Sequence, residues 1–400
     1  MTAPIQIRKG STSPFTFWKL VFYALLATGV IVTFQRFYYG IGAVTNLSDQ
    51  FPWGIWIGFD VLCGVGLAAG GFTLVAAVHI FNIEKYKPIL RPAVLTAFLG
   101  YLLVIFALMF DLGRPDRIWH PLIMWNPRSV MFEVGWCVTL YTTVLFLEFS
   151  PMVCERMRWR TPLRWFRMIS IPLMIGGVIL STLHQSSLGS LFLLVPHKLD
   201  ALWYTPYMPL FFFTSAIAVG MAMTIFESWH SSKAFGRKLE APLLESLASV
   251  LAVVQSTYLA MRIMDLTSRH AWGLLTQPRP ETYLFLLEMF LIATPILLLF
   301  QSRIRNNPRA LYWAALMVIF GFITNRLNIS VTGIERASGT TYIPKWQEIA
   351  VTLFIIAVGF GLFRLAARYL PVFEAEPGSH TEEGGRVYSQ GSSNVNWKAA

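Results

Sequence analysis

Apolar and polar positions in this chain are sorted into long apolar runs parted by short polar connections. Ten runs are long enough to cross a bilayer: residues 17–37, 54–81, 92–110, 129–149, 166–187, 207–229, 243–265, 281–301, 309–329 and 347–368. A spanning helix takes roughly 20 apolar residues, whereas a barrel strand takes about ten in alternation. The pattern therefore predicts an all-α, polytopic membrane bundle of about ten transmembrane helices. The loop lengths suit two four-helix bundles, runs 2–5 and 6–9, with the first and tenth runs flanking them. Asn126-Pro127 and Gln277-Pro278 carry turn signals, and Thr294-Pro295 predicts a kink in the eighth run. Gly54-x-x-x-Gly58 and Gly66-x-x-x-Gly70 in the second run predict close helix packing.

Residues 17–370 form the expected membrane domain. The polar segment 1–16 precedes a first run with no small-residue cleavage site, so that run reads as a retained helix, not a signal peptide. Residues 371–400, polar and Gly/Ser-rich from about Glu374, are expected to be a disordered tail.

Composition agrees with the pattern: 55% of the 400 residues are hydrophobic and 13% charged, against ~25% charged in a soluble domain. The formal net charge of +11 would suggest nucleic acid in a soluble protein. Here the cations sit in short loops, and nucleic-acid binding is not expected. About 21 of the 32 Lys and Arg fall on the side of both termini and the even-numbered loops, against about nine opposite. The expectation is a bacterial inner-membrane protein with cytoplasmic N- and C-termini. Cys63, Cys137 and Cys154 are scattered, giving no basis for an iron–sulfur cluster, metal site or disulfide framework. No P-loop, G-x-S-x-G or H-E-x-x-H motif is present.

The informative residues are polar ones inside the apolar runs. The run at 173–192 turns polar only near one end, at His184-Gln185-Ser186-Ser187. With the orientation above, Asp60 lies about two turns in from the periplasmic side, roughly 9 Å at about 1.5 Å per residue. Asp111 and Arg114 lie at the periplasmic end of the third run, Glu133 about one turn into the fourth, and His184 near the periplasmic end of the fifth. Four consecutive helices thus place an acid or histidine in one periplasmic third. Acids and a histidine beside Trp53, Trp56 and Trp136 suit a quinone, whose two oxygens need hydrogen bonds and whose reduction takes two protons with two electrons.

Other intramembrane charges carry different expectations. Arg262 and Asp265 (seventh run), Glu288 (eighth) and Arg326 (ninth) balance as a structural ion-pair network, with a proton-path role behind it. Glu148 and Glu227 lie near cytoplasmic helix ends. Glu133 and Glu148 stand about 22 Å apart along one helix, which suits a proton route between the faces. A b-type haem needs two facing axial histidines, and His79/His230 is the only conceivable pair, so haem is not expected.

FPWGIWIGFD, GLAAGGF, RPAVLTAFLGY, SVMFEVGWCVTLY with LEFSP, and LHQSSLGSL together resemble the NrfD/PsrC superfamily. The likeness extends over roughly residues 20–370 and is nearest to the HybB-like membrane subunit of periplasm-facing nickel–iron hydrogenases. The resemblance implies a haem-free, quinone-reactive membrane subunit that uses menaquinone or ubiquinone. It implies a periplasmic ferredoxin-like iron–sulfur partner attached to a catalytic module, for hydrogenase the large and small subunits. Asp60, Glu133 and His184 fall inside the matching motifs and inherit the quinone-side and proton-handling roles. Gln185 and Trp56 are expected to help line the site, and Asp111 and Arg114, in FDLGRPDR, match less closely. Related subunits serve polysulfide, nitrite, sulfite-linked or multihaem cytochrome c complexes. The rival readings are a secondary transporter, which places its polar groups in broken helices near the midplane, and a passive membrane anchor.

Overall fold

The computed structural model describes residues 17–236 and 238–373; the expectations for 1–16 and for the tail beyond 373 lie outside the described residues. Ten helices among these are long and apolar enough to cross a membrane: α1 Phe17–Tyr39, α2 Trp56–Ile80, α3 Glu84–Asp111, α4 Val130–Met157, α5 Ser170–Leu193, α6 Met208–Phe235, α7 Ala241–Ser268, α8 Pro280–Leu299, α9 Pro308–Ser338 and α10 Trp346–Tyr369. Several overshoot the apolar runs, because a hydrogen-bonded helix continues past the point where its side chains turn polar. Pro92, Pro151 and Pro295 lie inside α3, α4 and α8, each removing one backbone donor.

The chain folds as a polytopic helical bundle. Helices α2–α5 close one four-helix bundle, and α6–α9 a second. The bundles meet where α6 lies against α2 and α5, while α1 and α10 pair and pack on α3. Lipid is as apolar as leucine, so close packing and interhelical hydrogen bonds hold such helices together. The α2–α6 crossing shows how: a Cβ added at Gly220 would sit 2.8 Å from the backbone of Ala69 and Gly70, and one at Gly70 would sit 2.9 Å from the Gly220 carbonyl oxygen. The expected glycine spacing in α2 is therefore used, with Gly58 facing Ser330 and Gly66 facing Phe322 on α9.

Two of the ten helices contain π turns. α2 contains π turns at Trp56–Val61 and Ala76–Ile80, and α9 one at Asn328–Thr332. Each π turn inserts a residue into the helical repeat and rotates the faces beyond it. The first contains Asp60 and packs against the one in α9. The connections divide between a basic face, carrying the α2–α3, α4–α5, α6–α7 and α8–α9 loops, and an opposite face carrying the rest.

Candidate functional site: two polar groups on either side of α2

α4 and α5 pack along each other and carry one set of polar side chains. Ser129 caps α4, its hydroxyl accepting from the Phe132 amide at 3.4 Å. Glu133 follows one turn later, exposed at the edge of the bundle. The Ser187 hydroxyl on α5 donates to Glu133 Oε1 and also lies 2.8 Å from the Leu183 carbonyl. His184, one turn from Ser187, is wholly buried, its ring 5.6 Å from that of Tyr101 on α3. Tyr101 in turn stands edge-on to Tyr141 of α4 at 4.7 Å.

The stripe continues toward the basic face. The Tyr141 and Ser181 hydroxyls close no hydrogen bond with each other, nor does the Tyr101 hydroxyl with Gln185. The Gln185 amide donates instead to the Val65 carbonyl at 3.2 Å. Glu148 lies beside Gly177, where an added Cβ would stand 3.4 Å from its Oε1. Residues 177, 181 and 184 recur at helical spacing on α5, and 133, 137, 141 and 148 on α4, so both stripes face each other. Buried polar atoms are nearly always hydrogen-bonded. Both nitrogens of His184, the hydroxyls of Tyr101, Tyr141 and Ser181, and Glu148 Oε1 are buried without a partner. Six such atoms thus fall on this one stripe.

Asp60, Trp56 and Asp111 lie elsewhere. Asp60 accepts from the Thr352 hydroxyl at 2.9 Å, and the Trp56 indole donates to the Glu348 carbonyl at 3.1 Å, both on α10. The two pairs are rungs one turn apart on each helix. Glu348 is the third residue of α10 and accepts from the backbone amides of Lys345 and Asn46 and from the Tyr342 hydroxyl. Burial and this carboxylate push the Tyr342 hydroxyl, in the loop before α10, well above its usual range. Arg36 of α1 reaches the carbonyls of Phe110 and Leu112 at 2.6 and 2.7 Å, and Asp111 Oδ1 is buried without a partner. α2 therefore presents Trp56 and Asp60 to α10, and Val65 to α5. The four polar residues at similar depth divide into two groups on different sides of α2, and they do not meet in one cluster.

Arg114 joins neither group. It sits in the exposed loop after α3 and forks onto Asp116 at 3.0 and 2.9 Å; that hydrogen bond holds the Asp116 carboxyl below its usual range. Glu227 is half-buried behind Thr96, whose hydroxyl donates to it at 2.7 Å, and it lines a cleft on the basic face with Ser228, Ser231 and Glu240.

The charges of the second bundle pair differently from the sequence expectation. Asp265 accepts from Arg269 at 2.6 Å and from Thr205 at 2.6 Å, not from Arg262. Glu288, fully buried, accepts from Trp203, Asn325 and Asn328 at 2.8 to 2.9 Å, with Arg262 at 3.8 Å. Arg326 bonds Asn325 at 2.6 Å and Ser215 at 2.8 Å, with the Phe212 ring centroid 3.6 Å away. Glu288 thus stands beside Arg262 and reaches Arg326 through Asn325.

Sequence reasoning missed Tyr101, Tyr141, Ser181, Arg36, Thr352 and Glu348. Tyr141 had a legible signal, since Glu133, Cys137, Tyr141 and Glu148 share one helical face.

The residues fit a bis-histidine haem poorly. His184 lies against Tyr101, and His230 lies 3.2 Å from the Tyr312 hydroxyl with its ring on Phe226. No group of three potential metal-ligating side chains occurs among the described residues.

Comparison with known proteins accords with this geometry. The family model described as Polysulphide reductase, NrfD matches residues 43–337. The chain is 31% identical to the "Probable Ni/Fe-hydrogenase 2 b-type cytochrome subunit" of Escherichia coli, over 88% of this chain and 91% of that one. It is 28% identical to the "Menaquinone reductase, integral membrane subunit" of Nitratidesulfovibrio vulgaris, over 93% and 95%. It is 25% identical to a putative dimethyl sulfoxide reductase membrane protein of Halobacterium salinarum, over 92% and 94%. The ten-helix chain, with its paired bundles and its polar stripe between α4 and α5, belongs to the NrfD family of membrane proteins.

Proposed function

We propose that this chain is the quinone-reactive membrane subunit of a respiratory oxidoreductase, set in a bacterial inner membrane with its basic face and both termini cytoplasmic. The observation that carries this reading is the stripe that starts at exposed Glu133, bonded by the buried Ser187 hydroxyl, and runs inward through His184, Tyr101, Tyr141 and Ser181 to Glu148. A quinone arrives from the lipid, so its site must open sideways at one end and connect to proton-carrying groups at the other. The names of two relatives supply the context: one is a menaquinone reductase subunit and one a hydrogenase subunit. Electrons would come from a periplasmic iron–sulfur partner, most readily that of a nickel–iron hydrogenase.

In quinone reduction, two electrons from that partner and two protons convert the two carbonyls to hydroxyls. Glu133, held by Ser187, donates to the oxygen nearer the bundle edge. His184 serves the deeper oxygen, and the Tyr141–Ser181–Glu148 stripe returns its proton from the basic face. Glu227, in its cleft on that face, stands where protons would enter. Quinol oxidation runs the same steps backwards. Asp60 and Trp56, turned toward α10, are support for the α2–α10 contact rather than ring contacts, and Asp111 stays apart at the end of α3.

Binding of a fluorescent alkyl-hydroxyquinoline N-oxide, a quinone analogue, to the purified complex tests the site. Saturable binding is expected, weakened about tenfold by Ser187→Ala, as loss of one hydrogen bond to a charged group implies. Undiminished affinity in that variant would place the quinone elsewhere. Glu148→Gln should leave analogue affinity unchanged but slow proton uptake by reconstituted vesicles during turnover by about 10²-fold, the usual effect of losing a proton-transfer group. Uptake at the parent rate would remove the stripe from the proton route.

A further inference from the structure

The connection from α4 to α5 carries a feature that quinone chemistry does not use. It contains the nine-residue helix Arg160–Met168, RTPLRWFRM, in which no residue is buried. A nine-residue helix without protein cover is marginal in water, so its surroundings must hold it. Both ends are tethered to membrane spans, α4 ending at Met157 and α5 beginning at Ser170, which fixes it at the level of the bilayer surface.

Its residues divide into three faces. Leu163 and Phe166 are half-buried against the bundle. Arg160, Arg164 and Arg167 recur at i, i+4 and i+7 on one exposed stripe. Trp165, 62% exposed, and Met168, 67% exposed, lie roughly a third of a turn round from that stripe. Trp159, just before the helix, is 52% exposed. Tryptophan beside arginine on a surface-lying helix is the composition of an interfacial anchor: the apolar side chains enter the acyl boundary and the cations stay at headgroup depth.

Most of this positive charge has no protein counter-charge. Glu155 is the acid that meets this loop, and Arg91 holds it at 3.1 Å, leaving a looser 3.7 Å contact to Arg167. Arg156, Arg158, Arg160 and Arg164 have no ion-pair partner among the described residues. A free amphipathic face, flanked by four unpaired guanidinium groups at headgroup depth, calls for fixed negative charge in the plane of the membrane. Guanidinium pairs readily with phosphate in a two-pronged geometry.

We infer that the Arg160–Met168 helix and its flanking arginines form a binding site for anionic phospholipid headgroups, with Arg160 and Arg164 as principal phosphate contacts. The inference is independent of the quinone reading and of which side of the membrane the basic face occupies. Each arginine near an anionic surface changes affinity about fivefold, so removing two should weaken headgroup binding roughly 25-fold.

The test uses the full chain in its purified complex, placed in nanodiscs of phosphatidylcholine with a minor share of phosphatidylglycerol. Mass spectrometry of the lipid retained after transfer to detergent reads enrichment of the anionic lipid over its bulk share. The expected result is clear enrichment in the parent protein, falling as salt rises and lost in Arg160→Gln/Arg164→Gln. The charge-matched control Arg128→Gln/Lys198→Gln, on the opposite face, should retain the parent's enrichment. Equal loss in the control would show attraction to net charge alone and overturn the site. So would absence of enrichment in the parent protein, a measurement that needs no variant to fold. A site for free phosphate predicts that inorganic phosphate displaces the lipid at equal concentration; displacement would overturn the headgroup assignment. Protection of the helix by a soluble acidic protein in the purified complex, without enriched lipid, would do the same.

Discussion

Glu133→Gln is expected to leave the complex assembled while lowering quinone-linked turnover about 10²-fold or more, the range for a positioned general acid or base. The amide keeps the size of the carboxyl group, and its oxygen can still accept from the Ser187 hydroxyl. Glu133 lies exposed at the bundle edge, so no buried partner loses its charge and the fold has little to lose. What disappears is the proton that the side chain can give or take. Turnover by membranes normalised to the amount of intact complex checks this. Unchanged turnover would remove Glu133 from the mechanism, whereas loss of the complex would show a structural role instead.

Glu288→Gln should do the reverse. Both carboxylate oxygens of Glu288 are already claimed by N–H donors: Asn325 on one, Trp203 and Asn328 on the other. An amide must turn its own NH2 group toward one of these donors, so at least one buried hydrogen bond becomes a clash. Arg262 would also lose the carboxylate 3.8 Å away, to which Arg326 is linked through Asn325. Breaking a buried charge pair by removing one partner costs about 3–5 kcal/mol, more than two orders of magnitude in the folded fraction. The expected outcome is a steep fall in monodisperse protein from membranes and a lowered Tm for what remains. A variant that purifies in parental yield with parental Tm would show that the network is dispensable. The two isosteric changes thus separate a residue that acts from a residue that holds.

The difference between these glutamates bears on what a sequence can convey about a membrane protein. Ten spans were legible because the bilayer core imposes a length and a composition on every crossing segment, whatever it packs against. The pairing of small residues in α2 was legible for a similar reason, since close backbone approach needs glycine or alanine, as at Gly70 and Gly220. Depth along each helix was legible too, because rise per residue is constant. Depth put Asp60, Asp111, Glu133 and His184 in one layer.

Direction around the helix axis was the quantity that only tertiary structure decided. The π turn over Trp56–Val61 rotates α2 within the residues that matter, and α10, nearly 300 positions away in sequence, supplies Thr352 and Glu348 as partners for Asp60 and Trp56. Glu133 meets Ser187 instead, and His184 meets Tyr101 with Tyr141 behind it, because α3, α4 and α5 close on one another. Likewise Asp265 finds Arg269 one turn along its own helix and leaves Glu288 to Arg262. The sequence by itself determined how many times the chain crosses the membrane and how deep each polar residue lies, since both follow from the solvent. Which polar residues share a site depends on helix rotation and on contacts between distant segments, and those exist only once the bundles have packed.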